Sequence, residues 1–115
     1  MVPVVNITGI EYPLDTTLRV AYRIQGANDH KPYSKVFSEI GDMLLEKQIE
    51  ILYLAFQIAN PEAAKTFNQQ QFLAYYLEHF TLKEVMAQLE GVVKAILGDE
   101  EEPEVVTVQG IGQEN

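Results

Sequence analysis

At 115 residues and 13.0 kDa the chain has room for one hydrophobic core and not for a second. Hydrophobic residues make up 47% and charged residues 22%, which excludes disorder throughout, and a formal charge of -9 opposes binding to nucleic acid or to an anionic membrane surface. Cysteine is absent, so disulfide scaffolds, thiolate metal sites and cysteine nucleophiles are excluded together, and a reducing cytoplasm is compatible with the composition.

Val4-Val5-Asn6-Ile7 and Ile10-Glu11-Tyr12-Pro13-Leu14 flank Thr8-Gly9, which predicts a hairpin with a two-residue turn. That register pairs Ile7 with Ile10 and Val5 with Tyr12 on one face, and puts Asn6 and Glu11 on the other. Such a hairpin is marginal alone and must pack on helices. Asp15 or Thr16 then caps a short helix to about Gln25, with Leu18, Ala21 and Tyr22 as its apolar side, before the loop Gly26 to Pro32. Ser34 caps the next, whose stripe is Val36, Phe37 and Ile40. At Gly41-Asp42 either a kink or a break fits; we favour a break, with Asp42 capping a helix from Met43 to Ala59.

In that third helix Ile49, Ile51, Leu52, Tyr53, Leu54, Phe56 and Ile58 leave only a narrow polar strip of Glu46, Glu50 and Gln57, so it is expected at the centre of the bundle. Asn60-Pro61 ends it. Capping-box patterns at Thr66 to Gln69 and Thr81 to Glu84 start two more helices. The first carries Phe72, Leu73, Tyr76, Leu77 and Phe80, and the second Leu82, Val85, Met86, Leu89, Val92, Val93, Ile96 and Leu97. Asp99 to Asn115 holds six acids and no base, with Pro103, Gly110 and Gly112, and reads as a flexible acidic tail. The predicted fold is α+β, mainly α: an N-terminal hairpin on a bundle of about five helices over residues 1–98, followed by the tail, 99–115.

Reactive chemistry is hard to assemble from these residues. No glycine-rich loop precedes a helix, His30 and His79 are isolated, and the acids at Asp99 to Glu102 lack the alternating oxygen ligands of a calcium loop. Ser34 and Ser38 have neither an elbow nor a base, so we expect no enzyme, cofactor or metal. The N-terminus shows no export signal, and the densest apolar stretch, Ile49 to Ala59, is interrupted by Glu50 and Gln57, so no membrane span is expected.

Two features point instead to protein contacts. Ala87, Gly91 and Ala95 fall opposite the apolar stripe of the last helix, at four-residue spacing. A mid-helix glycine is about 1 kcal/mol less favourable than alanine, so this face is a candidate to receive another helix, whether in self-association or from a client. Phe67 and Tyr75, with Tyr33 and the run Asn68-Gln69-Gln70-Gln71, form a second candidate: rings beside amides make an adaptable contact surface, although most such rings complete a core.

The hairpin Val5 to Leu14, a short helix, then Lys47-Gln48-Ile49-Glu50-Ile51-Leu52-Tyr53-Leu54-Ala55-Phe56, Asn60-Pro61-Glu62 and a threonine-capped pair resemble a tail assembly chaperone of long-tailed, siphovirus-type phages or prophages. The resemblance covers about residues 4 to 98; the Gly26 to Pro32 loop and the valine-rich tail fall outside it. It implies a non-enzymatic role in the cytoplasm of the bacterial host. There the chaperone keeps the tape measure protein soluble until the tail-tube protein polymerises around it, and it is absent from the finished particle. The competing expectations are an acidic inhibitor that mimics nucleic acid, with its acids arrayed on the folded surface, and a generic adaptor domain.

Overall fold

The computed structural model describes residues 3–98, and the expectation of a flexible tail over 99–115 lies outside the described residues. Two strands, β1 (Val4–Ile7) and β2 (Ile10–Pro13), precede six helices: α1 (Leu18–Ala27), α2 (Tyr33–Glu39), α3 (Leu45–Ala59), α4 (Pro61–Thr66), α5 (Gln69–His79) and α6 (Leu82–Leu97). A single 3₁₀ turn, Ile40–Asp42, joins α2 to α3. This is the expected α+β, mainly helical architecture, with one more helix than the sequence suggested.

The hairpin has the predicted register, Val5 opposite Tyr12 and Ile7 opposite Ile10. Thr8 (φ 54°) and Gly9 (φ 88°) both take the positive φ that a primed two-residue turn demands. For a β-branched threonine that conformation is strained, and three bonds hold it: Thr8 N donates to Tyr75 Oη (2.9 Å), Thr8 Oγ1 to the Ile7 carbonyl (2.6 Å) and Gly9 N to Asn6 Oδ1 (3.0 Å). The turn is thereby fastened to α5. Val5 and Ile7 enter the core, and Asp15 N donates to the Ala55 carbonyl at 3.0 Å, tying the strand exit to α3.

Helix α3 is the hub: α1, α4, α5, α6 and β2 all pack against it. Gln48, Ile49 and every residue from Ile51 to Phe56 are buried, as a helix apolar on most sides must be. Gln48 is the one buried polar side chain among the described residues, and its Nε2 donates to the Ile40 carbonyl at 2.8 Å, pinning the break between α2 and α3. Tyr53, Phe56, Phe72 and Tyr76 form the aromatic centre, with centroids 4.7–5.9 Å apart.

Several local expectations are corrected. Thr17, not Asp15 or Thr16, caps α1, because the Asp15 carboxylate accepts from Thr17 N (2.7 Å) and holds the cap in place. Helix α2 begins after Pro32, whose carbonyl takes the first helical bonds from Lys35 and Val36, so Ser34 sits inside the helix. Asp42 belongs to the 3₁₀ turn and Met43 is extended, which delays α3 to Leu45. Pro61 ends α3 and also occupies the first turn of α4, where a missing N–H does no harm. Helix α4 therefore uses Thr66, and the capping box of α5 is Asn68 with Gln71. The Thr81–Glu84 box of α6 is present as expected.

Candidate functional site

Helix α1 carries two apolar stripes. Taking about 100° per residue, Val20, Ile24 and Ala27 cluster on one side, while Leu18 and Tyr22 lie roughly 150° or more from that group's centre. Val20, Ala21 and Ile24 are the buried set, packed toward α3. The expected grouping of Leu18 and Tyr22 with the core is overturned: each is 77% exposed.

These two side chains form one wall of a surface groove of about 530 Å³, completed by Gln57 and Ile58 at the end of α3 and by Pro61 at the start of α4. Its charged lining consists of Arg19 and Arg23, the only arginines in the chain, and no acid lines it. Arg23 Nη2 donates to Gln57 Oε1 at 3.0 Å, bridging α1 and α3. Arg19 pairs with Asp15 at 3.3 Å and remains mostly in water. Arg23 thus meets the groove with its guanidinium bonded to a neutral amide, and the floor beside it is apolar.

Three other depressions differ in charge. One of about 400 Å³ between α1, α3 and α5 sets Arg23 against Glu50, with His30 nearby. A second, of about 270 Å³ under the hairpin turn, has no charged lining, and a third, of about 250 Å³ between Ile40 and α6, sets Lys94 against Glu90. The Leu18–Tyr22 groove is the one among these four whose charged lining is basic alone, with Asp15 paired to Arg19 just outside it.

The residues singled out from sequence fall elsewhere. Phe67 and Tyr75 come together, with ring centroids 6.3 Å apart, and both are half-buried. Phe67 packs on Phe56 and Phe72, and its carbonyl accepts from Tyr53 Oη (3.1 Å), while the Tyr75 hydroxyl holds the hairpin turn. On α6, Ala87 is exposed and Gly91 and Ala95 are half-buried. A Cβ on Gly91 would sit 4.0 Å from the ring of Pro3, the residue before β1. Tyr33 is exposed and rests edge-on against Phe37.

Titratable groups are perturbed for structural reasons. Burial raises the Tyr76 phenol well above its ordinary value, and its hydroxyl donates to Gln88 Oε1. Burial also raises Tyr53. Glu39 is lowered by its hydrogen bond to Lys35 and the charge of Lys31 beside it. The His79 ring lies tilted against Tyr75, with centroids 4.3 Å apart, and its Nε2 is 4.0 Å from Glu78. Among the described residues no group of three histidine or acidic side chains is placed to hold a metal, and no helix is long and apolar enough to cross a membrane.

The sequence matches no family model, and no curated protein or solved structure matches it.

Proposed function

We propose that this chain is a non-enzymatic binding protein that holds an amphipathic helical client in the α1–α3–α4 groove. The carrying observation is that Leu18 and Tyr22, each 77% exposed, stand beside Ile58 and Pro61 with both arginines at the rim. Exposed leucine and tyrosine add almost nothing to the stability of the bundle, whereas tyrosine and arginine next to an apolar floor are the side chains that anchor protein contacts. The client that suits this surface presents an apolar stripe edged with acids.

The resemblance to tail assembly chaperones supplies a specific client, the tape measure protein of a long-tailed phage, and a release step, competition by the tail-tube protein. A long helical client exposes apolar stripes until the tube forms around it and would self-associate unless covered. In that role the protein acts in the cytoplasm of the bacterial host and leaves before the particle is complete. Copies bound along one client would reinforce one another through neighbour contacts, for which the Ala87–Gly91–Ala95 face of α6 is the candidate surface. A nucleic-acid mimic would need unpaired acids across the fold. Here five of the eleven acids of residues 1–98, Asp15, Glu39, Glu50, Glu62 and Glu90, each lie within 3.5 Å of a lysine or arginine nitrogen, which weakens that reading for those five alone.

Co-expression with a candidate tape measure protein tests the reading. The native chain should keep that protein in the soluble fraction, and the Leu18→Ala/Tyr22→Ala variant should release it to the pellet while staying folded itself. Equal rescue by both would refute the groove as the client site.

A further inference from the structure

We propose that the outer edge of β1 joins two copies of this chain. Strand β1 of one copy runs antiparallel to β1 of the other about a two-fold axis at Val5, so that two hairpins become one four-stranded sheet. No hairpin residue lines the α1–α3–α4 groove, so the contact is separate from client binding and its test needs no client.

Three observations carry it. First, β1 has an open edge and β2 does not. The bond from Leu14 N to the Pro3 carbonyl (2.9 Å) sets the alternation of the ladder: Val5–Tyr12 and Ile7–Ile10 are its other hydrogen-bonded pairs, and the main-chain N–H and C=O of Val4 and Asn6 point away from β2. Among the described residues no hydrogen bond reaches those four groups, and Val4 and Asn6 are both exposed. On the opposite edge, Pro13 has no N–H, its carbonyl accepts from Asn60 Nδ2 at 2.9 Å, Glu11 brings a charge, and α3 packs alongside. Charge and proline are the usual guards of a free edge, and Val4–Ile7 contains neither.

Second, the open stretch is complementary to itself. It is bounded at one end by Pro3, which has no N–H and whose carbonyl is taken by Leu14, and at the other by Thr8, whose N–H is held by the Tyr75 hydroxyl. Between them Val4 and Asn6 stand evenly about Val5. Two antiparallel copies with Val5 opposite Val5 therefore set Val4 opposite Asn6 twice, and each such pair exchanges both main-chain bonds. Strand β2 offers no such match, because Pro13 lacks the donor that the pattern requires.

Third, the edge is uncharged in a chain of formal charge -9. Repulsion between acids opposes most ways of bringing two copies together. Val4, Val5, Asn6 and Ile7 add nothing to it, and the one acid of the hairpin, Glu11, lies across the ladder on β2. A seam this short falls well below the roughly 800 Å² per partner of a standard interface. The dimer is therefore weak, with a Kd on the order of 0.1–1 mM, and its population follows protein concentration.

Sedimentation equilibrium of the full chain from about 10 µM to about 1 mM tests it. The apparent mass should climb from 13.0 kDa toward twice that value. Over the same range the Asn6 amide should slow its hydrogen exchange about twofold or more, while the Glu11 amide does not. A mixture of isotopically labelled and unlabelled chain should show a contact between the Hα atoms of the two Val5 residues, which face each other in a non-hydrogen-bonded antiparallel pair. Val4→Lys puts a cation on the edge from a side chain already 45% exposed. It lowers the net charge and should nonetheless weaken association about tenfold or more. Val4→Pro removes one outward donor and none of the hairpin's own bonds, and should do the same; circular dichroism checks that each variant is folded, and Val4→Lys decides if Val4→Pro is not. Glu11→Gln on the other edge and Ala87→Leu on α6 should leave association unchanged. A chain that stays monomeric throughout overturns the inference, as does association that survives in Val4→Lys or that leaves Asn6 exchange unaltered. Loss of association in Ala87→Leu but not in Val4→Lys assigns the contact to α6 and overturns it as well.

Discussion

Truncating the two stripes of α1 separately gives opposite results if the helix is oriented as described. Ile24 is fully buried among the core side chains, and Leu18 is 77% exposed. Ile24→Ala removes buried methylene groups from a packed site, for which the loss is about 3 kcal/mol. Leu18→Ala forfeits about a quarter of the roughly 2 kcal/mol that full burial of a leucine provides, or about 0.5 kcal/mol, and alanine recovers about 0.2 kcal/mol through helix propensity. In a domain of this size each kcal/mol moves Tm by roughly 4–8 °C. Ile24→Ala should therefore lower Tm by about 12 °C or more, and Leu18→Ala by less than about 4 °C. Tyr22→Ala, on the same exposed stripe, should behave like Leu18→Ala. Thermal unfolding followed by circular dichroism, with urea midpoints as a check, measures all three. Equal losses, or a larger loss at Leu18 than at Ile24, would refute the orientation of α1 and remove the groove with it.

Thr8 holds φ 54° with a β-branched side chain, so Thr8→Asn, which tolerates that region in a primed turn, should raise stability by about 0.5–1 kcal/mol in urea unfolding; a loss would mean the Oγ1 bond to Ile7 outweighs the strain. Thr81→Ala removes the hydroxyl that accepts from Glu84 N, while the Thr81 backbone N–H keeps its bond to Glu84 Oε1, and should cost about 1 kcal/mol, read from the same midpoints. Burial raises Tyr76 and Tyr53, so the folded state binds their protons more tightly than the unfolded state does. Their contribution is fully present below about pH 10, the ordinary phenol value, and is lost as pH rises beyond it. The urea midpoint should fall above that pH, and Tyr76→Phe should make the fall shallower; an equally steep fall would contradict the assignment to Tyr76.

The sequence made legible those elements whose local chemistry is unambiguous. Thr8-Gly9 between two apolar runs fixes the hairpin and its register, because a one-residue slip would turn Val5 and Ile7 out of the core. The near-continuous apolar surface of residues 49–58 marks α3 as the hub, and the Thr81–Glu84 box marks the start of α6. Caps were misplaced by a few residues where several candidates compete: Asp15, Thr16 and Thr17 are all competent, and tertiary contacts select among them. Helix α4 was hidden because Pro61 reads as a terminator and serves also as an initiator. The groove was missed for a related reason. Helix α1 has two apolar stripes, and periodicity alone does not say which one meets α3. A usable signal was present: Arg19 and Arg23 immediately follow Leu18 and Tyr22, and arginine pairs flanking an apolar pair suit a wet, contact-making face better than a core. Phe67 and Tyr75 were singled out as rings, but the structure employs them in packing α5 and holding the hairpin turn.

The most direct test of the central claim is a titration of the isotopically labelled chain with a helical peptide taken from a candidate tape measure protein, chosen for an apolar stripe edged with acids. The account predicts amide shifts concentrated at Leu18, Tyr22, Arg23 and Ile58, with affinity reduced by at least tenfold, about 1.4 kcal/mol, in Tyr22→Ala. Saturable binding with shifts confined to another face, and unchanged affinity in Tyr22→Ala, would contradict it.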